Sequence, residues 1–363
     1  MLYRAIGMMS GSSLDGLDIV YAELLHEGGR WSFGIGAAEC YPYTAEWKER
    51  LQGATALNAL DYQLLHTDYG HYLGEQVNRF IDNHNLHYQA ALVASHGHTT
   101  FHVPARRMTA QLGDGAAIAA ETKLPVVSDL RALDLAFGGQ GAPIVPIGEQ
   151  MLLPGYGLFL NIGGIANLSI HGPNGFKAYD LCPANRVLNL LCAPLQKEYD
   201  AGGALAAEGQ VNEDLLARLN DLSYYSEAPP KSLANSFGTD TVLPLVLSFG
   251  LTPADSLRTY AEHIAVQIEN AVRQGAGGIR ERRLLVTGGG ALNTFLIGRI
   301  TERLAAHDVE VVVPDEQLIQ YKEALIMAFI GVLRWRQEYN VLSSVTGAER
   351  DSIGGAVWIG QEA

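Results

Sequence analysis

The sequence predicts an α/β protein of two similarly ordered halves, each a mixed sheet flanked by helices, with a ligand cleft between them. Three observations carry this. The chain has 363 residues, enough for about two domains, each with its own core. Both halves open on three short strand-like runs broken by glycine turns and then alternate helical periods with single strands, so the first third reads βββαβαβ. Forty glycines, about 11% against a usual ~7%, cluster at a few turns flanked by apolar runs and form neither a collagen repeat nor a linker.

Composition narrows the function classes. With 25 basic and 39 acidic side chains the net charge is -14, which opposes nucleic-acid binding, since neutralising phosphates needs a basic surface. A hydrophobic content of 48% with 18% charged residues is too apolar for a disordered chain. Cys40, Cys182 and Cys192 include no Cys-x-x-Cys pair, so a reducing compartment is expected. The start, MLYRAIGMMSGSSLDG, lacks a secretory signal, and no run of 18 apolar residues follows. A cytoplasmic protein without a membrane partner is the expectation.

In chain order, Leu2 to Met8, Leu17 to Leu25 and Trp31 to Cys40 read as a three-stranded meander separated by SGSSLDG and HEGG. Leu57, Leu60, Leu64, Leu65, Leu73, Val77, Phe80 and Ile81 fall largely on one helical face. ALVASHG near 91–97 is a buried strand, a helix begins near Asp114, and PVVSD at 125–129 is a further strand. The second half repeats the order, with strands from Gly157, Ile165 and Gly175 and a helix over about 184–196. After a polar insertion at 200–253, Leu257, Tyr260, Ala261, Ile264, Ile268 and Val272 mark a long amphipathic helix. A strand at 282–290 runs into a glycine turn, then come a helix from Asn293, a strand at 310–314 and a helix from Tyr321 to about Glu338.

SGSSLDG and NIGGIAN occupy matching turns of the two halves. Glycine-rich turns let backbone N–H groups approach an anion, and Ser10, Ser12 and Ser13 add hydroxyl donors. Two such hairpins facing each other, with TGGG at 287–290 as a third turn opening a helix, suit a nucleoside triphosphate. Asp15 and Asp18 beside the first hairpin are placed to hold Mg²⁺, directly or through water, and a cap or salt bridge is the competing role for Asp18. Neither GxGxxG nor GxxxxGK[ST] stands at a strand-to-helix junction. His96, His98 and His102 alternate as metal ligands can, but hydrogen-bonding or cleft-lining roles compete and no carboxylate follows nearby. Arg131 can pair with a carboxylate or phosphate in the cleft, or with a surface acid. Asp180, at the end of its strand in AYDLCPAN, is either a general base or a helix N-cap. Glu323 reads as a first-turn glutamate.

Taken together, MSGSSLDGLD (9–18), SHGHTTFHVP (95–104), QLGDGAAIA (111–119), VVSDLRALDLAFGGQGAPIVP (126–146), NIGGIANLS (161–169), YDAGGALAAEGQV (199–211), PPKS (229–232), GGGALN (288–293), EALIMAF (323–329) and SVTGAERDSIGG (344–355) are collinear from end to end. In them the chain resembles the anhydro-N-acetylmuramic acid kinases. The resemblance implies two RNase H-like domains with an inter-domain cleft, the fold of actin, sugar kinases and Hsp70 chaperones, here placed at 1–130 plus 343–363 and at 131–342. It implies ATP and Mg²⁺ as cofactors and a homodimer. It also implies hydrolytic opening of the 1,6-anhydro sugar with phosphorylation of O6, giving N-acetylmuramic acid 6-phosphate during cell-wall recycling. Carried over by motif, the first phosphate loop is Gly11, Ser12, Ser13, Leu14, Asp15, Gly16, Leu17 and Asp18. The second is Gly163 and Gly164, the adenosine-side turn is Gly288, Gly289 and Gly290, and the catalytic aspartate is Asp180. His96, Arg131 and Glu323 become contacts to the sugar or its lactyl carboxylate. The chain departs from the family where Asp-Thr-Gly-Pro-Gly-Asn becomes DLCPAN (180–185), where Thr-Gly-Arg-Glu after PPKS becomes LANS (233–236), and where a glutamine becomes His98. These changes motivate two alternatives: a kinase of the same fold for another sugar, or a nucleotide-binding sensor without turnover.

Overall fold

Near-continuous apolar runs in the first two strands and alternation in the third (Trp31, Phe33, Ile35, Ala37) build a long antiparallel meander, β1 (Leu2–Ser10), β2 (Gly16–Glu27) and β3 (Arg30–Pro42). The computed structural model describes residues 1–11, 14–172, 175–229, 231–234 and 236–360. Ile6, Met8, Leu17, Ile19 and Tyr21 turn one face of this meander into a core with Leu65, Tyr69, Leu73, Val77 and Phe80 of the helix Ala59–His84. Asn58 caps that helix, accepting from the N–H groups of Leu60 and Asp61. The expected apolar face is narrower than its periodicity suggested. Leu57, Leu60 and Leu64 are exposed, because the contact stripe follows Leu65–Tyr69–Leu73 and leaves the first turns in solvent.

β4 (Leu92–Ser95) then lies parallel to β1. A separate hairpin of β5 (His98–Val103) and β6 (Met108–Leu112) follows, which periodicity did not predict. A helix Gly115–Thr122, capped by Asp114, leads to β7 (Val126–Ser128), parallel to β4. The strand Ala356–Trp358 pairs antiparallel with β7 and completes the order Ala356–Trp358, β7, β4, β1, β2, β3.

The second sheet repeats the plan. β8 (Leu158–Ile162), β9 (Ile165–Gly172) and β10 (Gly175–Pro183) form an antiparallel meander. β11 (Arg283–Thr287) and β12 (Glu310–Val312) extend it in parallel, giving the order β10, β9, β8, β11, β12. The helix Pro253–Gly275 presents Tyr260, Ile264 and Ile268, all fully buried, to this sheet's core, each side chain contributing roughly 1.5–3 kcal/mol. The expected insertion at 200–253 contains short helices, including Glu213–Asn220 and Leu243–Ser248, whose Leu215, Leu219 and Val246 join the same core. Both halves are therefore α/β with a meander followed by parallel strands, as the sequence predicted.

Packing divides the chain into Met1–Pro154 with Tyr321–Ala363, and Gly155–Gln320. The segments 131–154 and 321–342, drawn into the second half from the sequence, belong to the first unit. Close approach of backbones explains it: a Cβ on Gly7 of β1 would lie 2.0 Å from the Ala324 carbonyl oxygen, so the helix Glu316–Trp335 is pressed onto the first sheet. The helix Pro146–Leu152 is tied to it by the buried ion pair of Glu149 and Lys322, 2.8 Å long.

Candidate active site

In the first unit the singled-out residues gather at the ends of β1, β4 and β7. The β1–β2 turn runs from Gly11, with the Leu14 N–H donating to the Gly11 carbonyl at 3.3 Å. Leu14 adopts a left-handed φ of 57°. Ser12 and Ser13 lie outside the described residues. Ser10, buried at the end of β1, accepts from the Tyr43 hydroxyl at 2.8 Å and lies 3.2 Å from His98 Nδ1. Gly16 opens β2, Leu17 points into the core, and Asp18 pairs across to Cys40 of β3. Burial raises the Asp18 pKa to about 6; a hydrogen bond from the Cys40 thiol opposes this, and the charges of Glu323 and Asp15 add to it. Asp18 is thus neither a cap nor half of a salt bridge.

His96, Arg131 and Glu323 are brought together in the same unit. Arg131 Nε donates to His96 Nε2 at 2.8 Å, which leaves His96 Nδ1 to donate to the Gly97 carbonyl at 2.9 Å and sets the tautomer. Burial, then the Arg131 charge, pushes the His96 pKa down to about 3, so the ring is neutral. Arg131 also donates to the Gly141 carbonyl at 2.6 Å. It is no surface ion-pair former: burial lowers its pKa to about 10, against the pull of Glu323. Glu323 lies well inside the helix Glu316–Trp335 and not in its first turn. Its pKa is raised by burial and Glu149, and lowered by Lys322 and Arg131. His98 is turned to Ser10 and His102 to Thr109 Oγ1 at 3.2 Å, so the three histidines do not converge on a common point.

Two features here escaped the sequence reading. Asp134, fully buried, accepts from the Gly141 N–H at 2.7 Å and the Thr346 hydroxyl at 2.7 Å, and so fixes the GGQG segment that holds Arg131. Its signal was a charged residue inside an otherwise apolar ALDLAF run. The other is the pair Glu149–Lys322, whose members are 173 positions apart and carry no local signature.

In the second unit, the parallel pairing of β8 with β11 sets the NIGG and TGGG turns side by side. Gly163 and Gly164 form the β8–β9 turn, their carbonyls accepting from the N–H groups of Asn185 at 3.0 Å and Ala184 at 2.8 Å. Gly288 has φ 80°, and a Cβ there would meet Asn161 Oδ1 at 2.5 Å and the Ile162 carbonyl oxygen at 2.8 Å. Gly289 and Gly290 continue as the turn that leads into the helix Thr294–Ala305. Gly288→Ala is therefore expected to lose roughly 2–4 kcal/mol of stability from strain and collision together, measured by urea denaturation.

Asp180 stands on β10 at a bulge. Its Oδ2 accepts from the Leu233 N–H at 2.9 Å, its own N–H donates to the Lys231 carbonyl at 3.2 Å, and the Tyr224 hydroxyl donates to its carbonyl at 2.7 Å. Lys231 is drawn aside, 4.4 Å from the centre of the Tyr224 ring. Asp180 does not cap the helix Asn185–Cys192, whose N-cap position is Ala184. Burial raises its pKa, the Leu233 bond opposing, and Oδ1 has no hydrogen-bond partner among the described residues. The substitutions in DLCPAN are absorbed by the core: Leu181, Cys182 and Ala184 are all buried.

A profile of anhydro-N-acetylmuramic acid kinases matches residues 3–360. The chain belongs to the anhydro-N-acetylmuramic acid kinase family. An anhydro-N-acetylmuramic acid kinase of Vibrio parahaemolyticus is 33% identical over 362 residues, covering 95% of both chains. One of Azorhizobium caulinodans is 34% identical over 382 residues, covering 98% of this chain and 99% of that one. Among solved structures, component A of the Acidaminococcus fermentans (R)-2-hydroxyglutaryl-CoA dehydratase aligns at 15% identity and a TM-score of 0.46, covering 90% of this chain and 96% of that one. A ROK family glucokinase from Streptomyces griseus aligns at 13% identity and 0.39, covering 90% and 98%. As a member of the anhydro-N-acetylmuramic acid kinase family, the chain is an ATP-dependent sugar kinase. Among the described residues no helix is long and apolar enough to cross a membrane.

Proposed function

We propose that this kinase opens anhydro-N-acetylmuramic acid with water and transfers the γ-phosphoryl group of ATP to the freed O6, with Asp180 as the base. The observation that carries the reading is the state of Asp180: a half-buried carboxylate, held through one oxygen by the Leu233 N–H, with its other oxygen unbonded among the described residues and its pKa raised. Leu233 of the LANS segment thus holds the base through its backbone N–H.

The chemistry follows from the acetal. O6 carries no proton and is bonded to C1, so it cannot accept a phosphoryl group until that bond breaks. Water attacks C1 as it gains oxocarbenium character, Asp180 takes the proton, and O6 leaves C1 toward the γ-phosphorus while ADP departs. The glycine turns at Gly11–Asp18, Gly163–Gly164 and Gly288–Gly290 offer backbone donors to the polyphosphate and room for the nucleotide. Neutral His96, Arg131 and Glu323 bind the sugar's polar groups and lactyl carboxylate.

Asp15 and Asp18 fit Mg²⁺: burial first, and then the negative charges of Glu323 and Asp15, disfavour the ionised Asp18 carboxylate, and a bound cation relieves both. Among the described residues no three ligating side chains enclose an ion, which suits an ion ligated mainly by phosphate oxygens and water. Bound there, Mg²⁺ supplies charge neutralisation for the transferring group. A homodimer and a cytoplasmic setting belong to the same reading.

A coupled ADP-release assay over anhydro and reducing amino sugars tests it. Turnover on anhydro-N-acetylmuramic acid, with N-acetylmuramic acid 6-phosphate as product, is expected. Turnover only on a reducing sugar, or ATP binding without ADP release, overturns it.

A further inference from the structure

Arg186 follows Asn185 at the start of the helix Asn185–Cys192 and folds back against the second glycine hairpin. Its N–H donates to the Gly164 carbonyl at 3.4 Å. A Cβ placed on Gly164 would meet Arg186 Cβ at 3.8 Å and Nε at 3.9 Å, and nothing else within 4 Å. Arg186 Nε is buried and makes no hydrogen bond. The guanidinium as a whole has no hydrogen bond or ion pair among the described residues, in contrast to Arg299 and Arg303 of the same unit, which are paired with Glu262.

The half-buried guanidinium is withdrawn from water at Nε, where among the described residues it has no acceptor, and an arriving anion supplies one. The guanidinium's planar donor fork matches an oxyanion, and phosphoryl oxygens above all. We propose that Arg186 is a phosphoryl-binding residue, its guanidinium contacting an oxygen of the ATP polyphosphate where the chain passes Gly164. The proposal rests on the reading of Gly163–Gly164 as a phosphate hairpin. In it the guanidinium gains its acceptor on nucleotide binding, so a positive charge meets the phosphates at a turn that otherwise offers only backbone dipoles.

The same anion chemistry could be met by the sugar's lactyl carboxylate, and the test separates the sources. Affinities of the full chain for a non-hydrolysable ATP analogue and for adenosine are measured by calorimetry, apo thermal stability by melting, and the sugar KM by ADP release, in Arg186→Met, Arg186→Lys and Gly164→Ala. Arg186→Met is expected to weaken the ATP analogue roughly tenfold to a hundredfold, the loss of one charge-assisted hydrogen bond. Adenosine affinity and the sugar KM stay near wild type, and the apo melting temperature does not fall, because no hydrogen bond of the guanidinium is lost. Arg186→Lys recovers part of the loss, keeping charge without the fork. Gly164→Ala, which the fold accommodates, weakens the analogue by crowding the hairpin. If Gly164→Ala weakens the analogue and Arg186→Met does not, the Arg186 assignment falls alone; if neither does, the hairpin reading falls with it. A rise in sugar KM alone transfers Arg186 to the carboxylate and overturns the proposal. Parallel loss of adenosine affinity and apo stability makes Arg186 structural and overturns it as well.

Discussion

Asp180→Asn is expected to lower turnover on the anhydro sugar by about two to four orders of magnitude, the usual contribution of a positioned base, while ATP still binds. The side-chain carbonyl of Asn can accept the Leu233 N–H that Asp180 Oδ2 accepts at 2.9 Å, so the loop keeps its anchor. What is lost is the second oxygen, unbonded in the wild type, and with it any site for the proton of the attacking water. The substitution also removes a charge whose burial is unfavourable, as the raised pKa of Asp180 records, so the fold is not expected to suffer. The pH profile gives the sign. Asp180 must be ionised to act, so kcat falls as the pH drops through its raised pKa, and that acid limb is absent from the residual rate of Asp180→Asn. Single-turnover rates against pH, beside ATP-induced melting shifts, make the measurement. A near-normal rate removes Asp180 from the role of base; loss of the ATP-induced shift as well assigns it to the fold.

What the sequence revealed divides by the range of the interactions. The meander strands, the helix caps Asp114 and Asn293 and the three glycine turns rest on neighbours close in the chain, so periodicity and turn chemistry disclosed them. The adjacency of NIGG and TGGG needs the parallel pairing of β8 and β11, which are separated by more than a hundred residues, and only the matched order of the two halves hinted at it. The β5–β6 hairpin was hidden by the histidine-rich SHGHTTFH, which reads as ligand chemistry while its backbone reads as strand. Asp18 and Arg131 were found as residue types beside the right turns, but their environments were not visible: a thiol across the strand for one, a neutral histidine and a loop carbonyl for the other. Arg186 was passed over because an arginine in the first turn of a helix is ordinarily solvated; its isolation appears only once Gly164 is folded against it.

The buried pair Glu149–Lys322 supplies the largest expected loss of stability. Both side chains are at least 95% buried, at 2% and 5% exposure, with 2.8 Å between Lys322 Nζ and Glu149 Oε1. Removing one partner of a buried ion pair costs about 3–5 kcal/mol, whereas replacing both partners by apolar residues of similar volume is often neutral. Glu149→Met is therefore expected to lower the melting temperature on the order of 10 °C, at roughly 2–4 °C per kcal/mol for a unit of this size, and Lys322→Met by a similar amount. The double variant should return close to wild type. The consequence for the site follows from sequence adjacency, since Lys322 precedes Glu323, whose ionisation Lys322 favours and Glu149 opposes. With Glu149 gone, a charge that opposes Glu323 ionisation is lost and the Lys322 ammonium draws the Glu323 carboxylate away from the sugar, so the sugar KM rises; with Lys322 gone instead, Glu149 pushes the Glu323 pKa higher and the rise in KM is greatest at low pH. In the double variant both biases vanish, so KM should recover together with stability. Recovery of stability without recovery of KM overturns the account of two opposing biases on Glu323; failure of the double variant to regain stability shows that the two helices are held by more than this ion pair.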